Sequence, residues 1–285
     1  MPARPLAPVG AHVSVAGGLS RALPRADTVG AEVLQVFVAN PRGWAPPAPD
    51  PAGDDAFRVA CTRPVFVHAP YLINFGSPSV DTLARSSGAL RFSLERGRAI
   101  GARGVVVHAG SAVLGNRWDD AMAQVREHVL PVLDDVAGGP RLLIEPTAGG
   151  GGALASDADS LGAYLDVLGR DERVGVCLDT CHVHAAGHDL ATAASFATAL
   201  RAYGRAAGRG RIGLVHVNDS RDAAGSRRDR HAALGRGTIG AADGGAAFAA
   251  LFTSPVTRRV PMVVETADTD HAADIALLQR LRAAT

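Results

Sequence analysis

Eight short β-rich runs recur along the chain, and most are nearly continuous apolar stretches. They are GAHVSV (10–15), EVLQVFV (32–38), PVFVHA (64–69), GVVVHA (104–109), RLLIEPT (141–147), VGVCLDT (174–180), IGLVHVN (212–218) and PMVVET (261–266). Strands that are apolar on both faces belong in a parallel sheet covered by helices, not in an antiparallel sheet with one wet face. Between the runs the apolar period lengthens to that of a helix, at Leu83–Ile100, Trp118–Leu133, Asp157–Leu168 and Leu190–Ala206. A last helix is predicted over Ala272–Arg282. Alternating strand and helix imply an α/β fold. Eight repeats in 285 residues fit a single closed (β/α)8 TIM barrel, a one-domain chain over 1–285 with the barrel at about 9–283. A doubly wound open sheet is the competing topology, but it gathers its ligand loops at one switch point instead of around a ring.

Three connections are long for a compact domain, which marks them as functional loops. Pro41–Gly53 follows strand two and reads as a proline-rich loop. Gly149–Gly152 follows strand five, and the polar segment Asp219–Gly240 follows strand seven.

The active site of such a barrel lies at the C-terminal ends of its strands. There the sequence places His12, His68, His108, Glu145, Asp179, His216 and Glu265, so seven of eight strands end in a residue type that binds metal and only strand two does not. A lone histidine at a strand end is usually a hydrogen-bonded core residue. Seven polar side chains on one rim would each cost about 1–3 kcal/mol if left without partners, and metal ions supply those partners. Two loops add donors. The DTCH motif sets Asp179 and His182 three apart across a turn, and SRRDRHAALG sets Asp229 and His231 two apart, on one side of an extended segment. The nine candidate ligands are therefore His68, His108, Glu145, Asp179, His182, His216, Asp229, His231 and Glu265. A single catalytic zinc takes about three protein ligands, so nine imply two or three ions, most economically if a carboxylate bridges. Imidazole with carboxylate suits zinc, with manganese or iron as competitors. Clustered ions suit phosphodiester hydrolysis, where attacking and leaving oxygens both need charge stabilisation. Of the remaining histidines, His12 is expected to hold a ligand by a hydrogen bond. His184 reads as a loop residue, His188 as lying near a helix start, and His128 and His271 as solvated helix positions.

Composition narrows the chemistry further. Hydrophobic residues make up 47% of the chain and charged residues 20%, enough for a sizeable core. All 29 basic residues are arginine, which excludes a lysine Schiff base and a P-loop. Cys61, Cys177 and Cys181 are too few for a disulfide framework and read as small buried thiols. The opening MPARPLAPVG lacks the apolar run of a signal peptide and no later stretch reaches a membrane span, so a cytoplasmic protein with no membrane association is expected. The net charge of +1 leaves nucleic-acid binding to local patches.

The segments GAHVS (10–14), VHAPYLIN (67–74), VHAGS (107–111), IEPTAG (144–149), VCLDTCHVHAAG (176–187), VHVNDS (215–220), GSRRDRHAALGRGTIG (225–240) and VVET (263–266) together resemble the endonuclease IV family of apurinic/apyrimidinic endonucleases. The resemblance runs from about residue 10 to 283. It implies a TIM barrel with three zinc ions, with Mn2+ an option at one or more sites. It implies cleavage 5′ to an abasic site in double-stranded DNA by a multi-zinc-activated hydroxide, leaving a 3′-hydroxyl and a 5′-deoxyribose phosphate. All nine ligand positions of the family pattern match the nine residues above. Glu145 would bridge two ions, His182, Asp229 and His231 would hold the third, and Glu145 and Glu265 would be the catalytic carboxylates. Arg42, Tyr71 and Leu72 match the family's DNA-inserting positions. Wedging side chains into the stack costs a few kcal/mol, and an abasic nucleotide has no base to unstack. Three divalent ions would outweigh the four carboxylates and leave a positive centre, which Arg221, Arg227, Arg228, Arg230 and Arg236 could extend. A monomer is expected. Two positions depart from the family pattern: Pro146 stands where asparagine is usual, removing an amide and a backbone donor beside Glu145, and Ala109 replaces a proline.

Two other functions fit parts of this pattern. A sugar isomerase or epimerase on a related metal barrel would use one or two ions, commonly with a lysine, and leaves the DRH loop without a purpose. A nucleic-acid-binding module with structural zinc would have closed, cysteine-rich sites.

Overall fold

The computed structural model describes residues 6–113 and 115–285. Eight parallel strands close into a barrel in chain order: β1 (Val9–His12), β2 (Leu34–Phe37), β3 (Val65–His68), β4 (Gly104–His108), β5 (Arg141–Glu145), β6 (Val174–Asp179), β7 (Ile212–His216) and β8 (Met262–Val264), with β8 pairing back onto β1. The eight apolar runs of the sequence are thus the eight staves of a TIM barrel. Closure removes every exposed edge, so no strand needs a polar face.

Around the barrel lie α1 (Ala22–Thr28), α2 (Pro51–Ala60), α3 (Val80–Ala99), α4 (Trp118–Asp135), α5 (Ala158–Val167), α6 (Thr180–Ala185), α7 (Ala193–Ala207), α8 (Ala250–Thr253) and α9 (His271–Ala283). Their starts are chemically marked. The side chains of Asp50, Ser79, Asp157 and Thr192 accept hydrogen bonds from the first turns of α2, α3, α5 and α7, satisfying amides that have no partner within the helix. α2 corrects the expectation of one loop over Pro41–Gly53: with Asp50 as cap and Pro51 in the first turn, the end of that segment is a helix start. Among the described residues no helix is long and apolar enough to cross a membrane.

The barrel interior explains where the site sits. Val33, Phe66, Val106, Leu143, Cys177, Leu214 and Val263 form an apolar cluster of their own, apart from the main core under the helices. Residues two apart on a strand share a face. Two positions on from these seven come Gln35, His68, His108, Glu145, Asp179, His216 and Glu265. A polar layer therefore rests directly on an apolar plug. β1 completes the ring with Gly10 below His12, and Gly10 has to be glycine: a Cβ there would lie 1.8 Å from the Val33 carbonyl oxygen. Leu143 reaches across the floor into space that Gly104, Gly175 and Gly213 leave open, where a Cβ would come within 2.8, 2.8 and 2.9 Å of it.

Candidate metal centre

The nine sequence-derived ligand candidates converge at the C-terminal mouth of the barrel, where, apart from two sets that include a buried cysteine (Glu145, Cys177 and His216; Asp179, Cys181 and His231), they form three groups of facing donor atoms. One contains His68, His108 and Glu145; a second Glu145, Asp179, His216 and Glu265; a third His182, Asp229 and His231. Within each group the donor atoms lie within 4.8 Å of one another, and Glu145 belongs to two of the groups.

Glu145 ends β5 at the centre of the cluster and is 1% exposed. Its Oε2 lies 3.4 Å from His68 Nε2 and 3.5 Å from His108 Nε2, while its Oε1 lies 3.0 Å from His216 Nδ1. The first two separations are too long for good N–H···O hydrogen bonds, which centre on about 2.9 Å. They match the edge of a tetrahedron, about 3.4 Å, around an ion bound at about 2.0–2.1 Å. Glu145 Oε2 and His231 Nε2 are buried without a hydrogen-bond partner among the described residues. Such an orphan costs about 1–3 kcal/mol, and a cation held in each atom's own group removes that cost. The donor set and its spacing therefore fit divalent metal.

The third group is built from two loops. The DTCH motif is a short helix, α6, rather than a simple turn, and Asp179 caps it by accepting the His182 amide at 3.0 Å. His182 Nε2 then lies 3.1 Å from Asp229 Oδ2, and His231 Nε2 lies 3.0 Å from Asp229 Oδ1. His231 is carried on a two-residue ribbon, Asp219–Ser220 paired antiparallel with His231–Ala232.

The ring nitrogens facing away from the cluster are tied down. His68 Nδ1 donates to the Ala69 carbonyl at 2.7 Å, and His182 Nδ1 donates to the Pro146 carbonyl at 3.0 Å. Such contacts fix tautomer and ring orientation. The second also accounts for the departure at position 146: what His182 needs there is a carbonyl, and proline keeps its carbonyl.

Electrostatics point the same way. Burial would lower the affinity of His182, His216 and His231 for a proton, yet their neighbours raise all three: Asp179, Asp229 and Glu145 raise His182, Cys177, Glu265 and Glu145 raise His216, and Asp179, Asp229 and Glu265 bring His231 to about 9. Burial also pushes the Glu145 carboxyl upward, but His216, His108 and His68 outweigh it and hold the group well below its usual range. The carboxylates thus make this a place that attracts positive charge. His108, where burial dominates, is pulled down to about 4, so its ring is a neutral donor.

His12 lies at the rim with Nδ1 3.4 Å from Glu265 Oε1 and 3.0 Å from Gln35 Nε2, the amide that spans the two. Tyr71 is 44% exposed and its ring stacks on His108 at 5.5 Å and 23°. Burial and the facing carboxylates push its pKa up to about 12, keeping it a neutral phenol. Leu72 is half-buried beside it, and Arg42 is exposed in the loop after β2. Tyr71, His108, His182, Arg227 and Asp229 border a cavity of about 350 Å³ over the donors. A larger one, about 680 Å³, flanks the His12 and Phe37 side. The arginine patch is weaker than the sequence suggests: Arg230 forks onto Asp222, and Arg228 lies 3.8 Å from the same carboxylate.

Three contributors went unrecognised in the sequence. Gln35 supplies the polar position of β2, Asn218 Nδ2 donates to Asp179 Oδ2 at 2.7 Å, and the Asp219 carboxylate gathers backbone amides of the following loop. Two histidines also differ from expectation. His271 is buried, with Nε2 donating to the Thr266 carbonyl at 2.9 Å. His184 is buried too, with Nδ1 accepting from the Leu190 amide and Nε2 on Thr238 Oγ1, so it braces α6 against the loop after β7.

Comparison with known proteins supplies an independent line. The family model described as xylose isomerase-like TIM barrel matches residues 23–281. The chain is 51% identical over 286 residues to a protein named probable endonuclease 4 from Streptomyces coelicolor, covering 98% of this chain and 96% of that one. The crystal structure of endonuclease IV from Thermus thermophilus superposes with a TM-score of 0.84 at 32% identity, covering 98% of this chain and all of the other. A D-tagatose 3-epimerase-like protein matches with a TM-score of 0.70 at 17% identity, a likeness of fold alone.

Proposed function

The chain belongs to the endonuclease IV family of metal-dependent nucleases, and from that premise we propose that it incises duplex DNA 5′ to an abasic site, leaving a 3′-hydroxyl and a 5′-deoxyribose phosphate. The observation that carries this reading is the gathering of nine donors into three groups at one barrel mouth, two of them sharing Glu145. One or two groups would serve many metal enzymes; three around one cavity suit a phosphate whose non-bridging and leaving oxygens all need charge compensation. Zinc is the ion we assign to all three groups, from the mixture of imidazole and carboxylate donors, with manganese as a competitor. When bound, such ions supply positive charge that lowers the pKa of water and offsets the charge developing on the phosphate.

The chain's own groups do the rest. Glu145, sealed from solvent, holds two of the groups in fixed relation. Glu265, 13% exposed at the side chain, is the second carboxylate we assign to catalysis. Tyr71 and Leu72 enter the duplex beside the lesion and Arg42 follows from the loop after β2. The Tyr71 ring rests against that of His108, which orients it at the mouth of the cavity. Flipping an abasic nucleotide toward the cavity costs little because no base leaves the stack, and this favours the lesion over intact DNA. A monomer acting in the cytoplasm completes the reading.

The products test it. Incision of a duplex carrying one abasic site should give a 3′ end that a DNA polymerase extends without further processing. An unsaturated 3′ sugar fragment that blocks extension would mean β-elimination and would overturn the hydrolytic reading.

A further inference from the structure

Seven of the eight inward positions of the polar layer carry ionisable side chains, and the eighth is Gln35 on β2. It is fully buried and still has three polar partners. Its Oε1 lies 2.8 Å from His216 Nε2. Its Nε2 lies 2.7 Å from Glu265 Oε1 and 3.0 Å from His12 Nδ1. The amide can sit only one way round. Turned over, its oxygen would face the Glu265 carboxylate, two acceptors with no proton between them.

This orientation dictates the state of His216. Facing an amide oxygen, Nε2 must carry a proton, which leaves Nδ1 to face Glu145 Oε1 at 3.0 Å and Glu265 Oε2 at 3.1 Å. His68 and His182 are the other way round: each donates from Nδ1 to a backbone carbonyl and turns Nε2 toward the cluster. For His216 a side chain from β2, reaching across the barrel interior, does what backbone does at those two. The same amide engages Glu265 Oε1, so that Oε2 is the oxygen left facing His216.

We propose that Gln35 is a positioning residue for the cation site formed by Glu145, Asp179, His216 and Glu265, setting His216 as its Nε2–H tautomer and Glu265 in the rotamer that presents Oε2. This rests on the multi-metal reading above. Partners of this kind change metal affinity by about 10–100-fold.

Two measurements with zinc as the probe test it. In the long-range ¹H–¹⁵N spectrum of ¹⁵N-histidine-labelled, zinc-loaded wild-type protein, His216 should be protonated at Nε2 and coordinated at Nδ1, the reverse of His68 and His182. A His216 ring protonated at Nδ1 overturns the proposal, and this reading needs no variant to fold. Gln35→Leu should then release one zinc per chain to a chelator about 10–100-fold more readily than wild type, with the remaining zinc unaffected. Equal retention of every ion by Gln35→Leu would also overturn it. A wild-type protein that binds no zinc would defeat the multi-metal reading instead, a separately recognisable outcome.

Discussion

Glu145→Gln is expected to lower turnover on an abasic duplex by about a thousandfold or more, roughly 4 kcal/mol of transition-state stabilisation, while the barrel stays folded. The carboxylate faces His68 and His108 through one oxygen and His216 through the other. An amide keeps one acceptor and replaces the other with a donor. Whichever way it turns, an NH2 group faces ring nitrogens whose lone pairs are needed for metal, so two groups are damaged by one substitution. The cost to folding is smaller, about 1–3 kcal/mol, the usual figure for one ill-matched buried polar group. The distinguishing readout is metal analysis beside circular dichroism: a native spectrum with substoichiometric metal and almost no incision. A variant that keeps its full metal complement and a near wild-type rate would remove Glu145 from the centre of the site.

The second large effect is on stability. Asp219 is 0% exposed, and its carboxylate accepts five backbone amides: Ser220 at 2.8 Å and Ile239 at 2.9 Å on Oδ1, and Gly235 at 3.0 Å, Gly237 at 3.0 Å and Gly240 at 3.1 Å on Oδ2. The fit is close enough to forbid a side chain at Gly237, where a Cβ would lie 2.3 Å from the Ser220 carbonyl oxygen and 2.5 Å from Asp219 Oδ1. Hydrogen bonds to a charged group are worth about 1.5–3 kcal/mol each but do not add independently. Asp219→Ala should therefore cost about 3–5 kcal/mol, lowering the melting temperature by roughly 10 °C. Asp219→Asn should recover little, because its NH2 would face a row of N–H donors. Because Asp219 also begins the ribbon that carries His231, metal held by His182, Asp229 and His231 should weaken as well. A melting temperature within about 2 °C of wild type would show that the loop is held by something else.

Much of this could be read in the chain before the fold was known, for a physical reason. A strand buried on both faces has to be written as a nearly unbroken apolar run, so a polar residue at its end stands out, and the barrel places those ends on one ring. The donors on β3 to β8 were legible for that reason. Gln35 was not, because the apolar run of strand two continues to Val38 and hides a polar residue in its middle. What makes Gln35 part of the site is its register beside His12 on β1, a property of strand pairing rather than of composition. Asn218 and Asp219 follow His216 in a loop where polar residues are ordinary, and their value lies in partners far along the chain. The short helices α1, α2 and α6 escaped because fewer than three turns give little periodicity to read; for α2 the Asp50–Pro51 pair was the available signal. His271 looked solvated because nothing in a helix start announces that its ring folds back onto Thr266.

The measurement that bears most directly on the central claim is metal content taken together with incision. Protein purified without chelator should carry about three divalent ions per chain, lose incision of an abasic duplex when they are stripped, and regain it when zinc is returned. Undiminished incision by exhaustively stripped protein would contradict that claim, whatever the resemblance in fold.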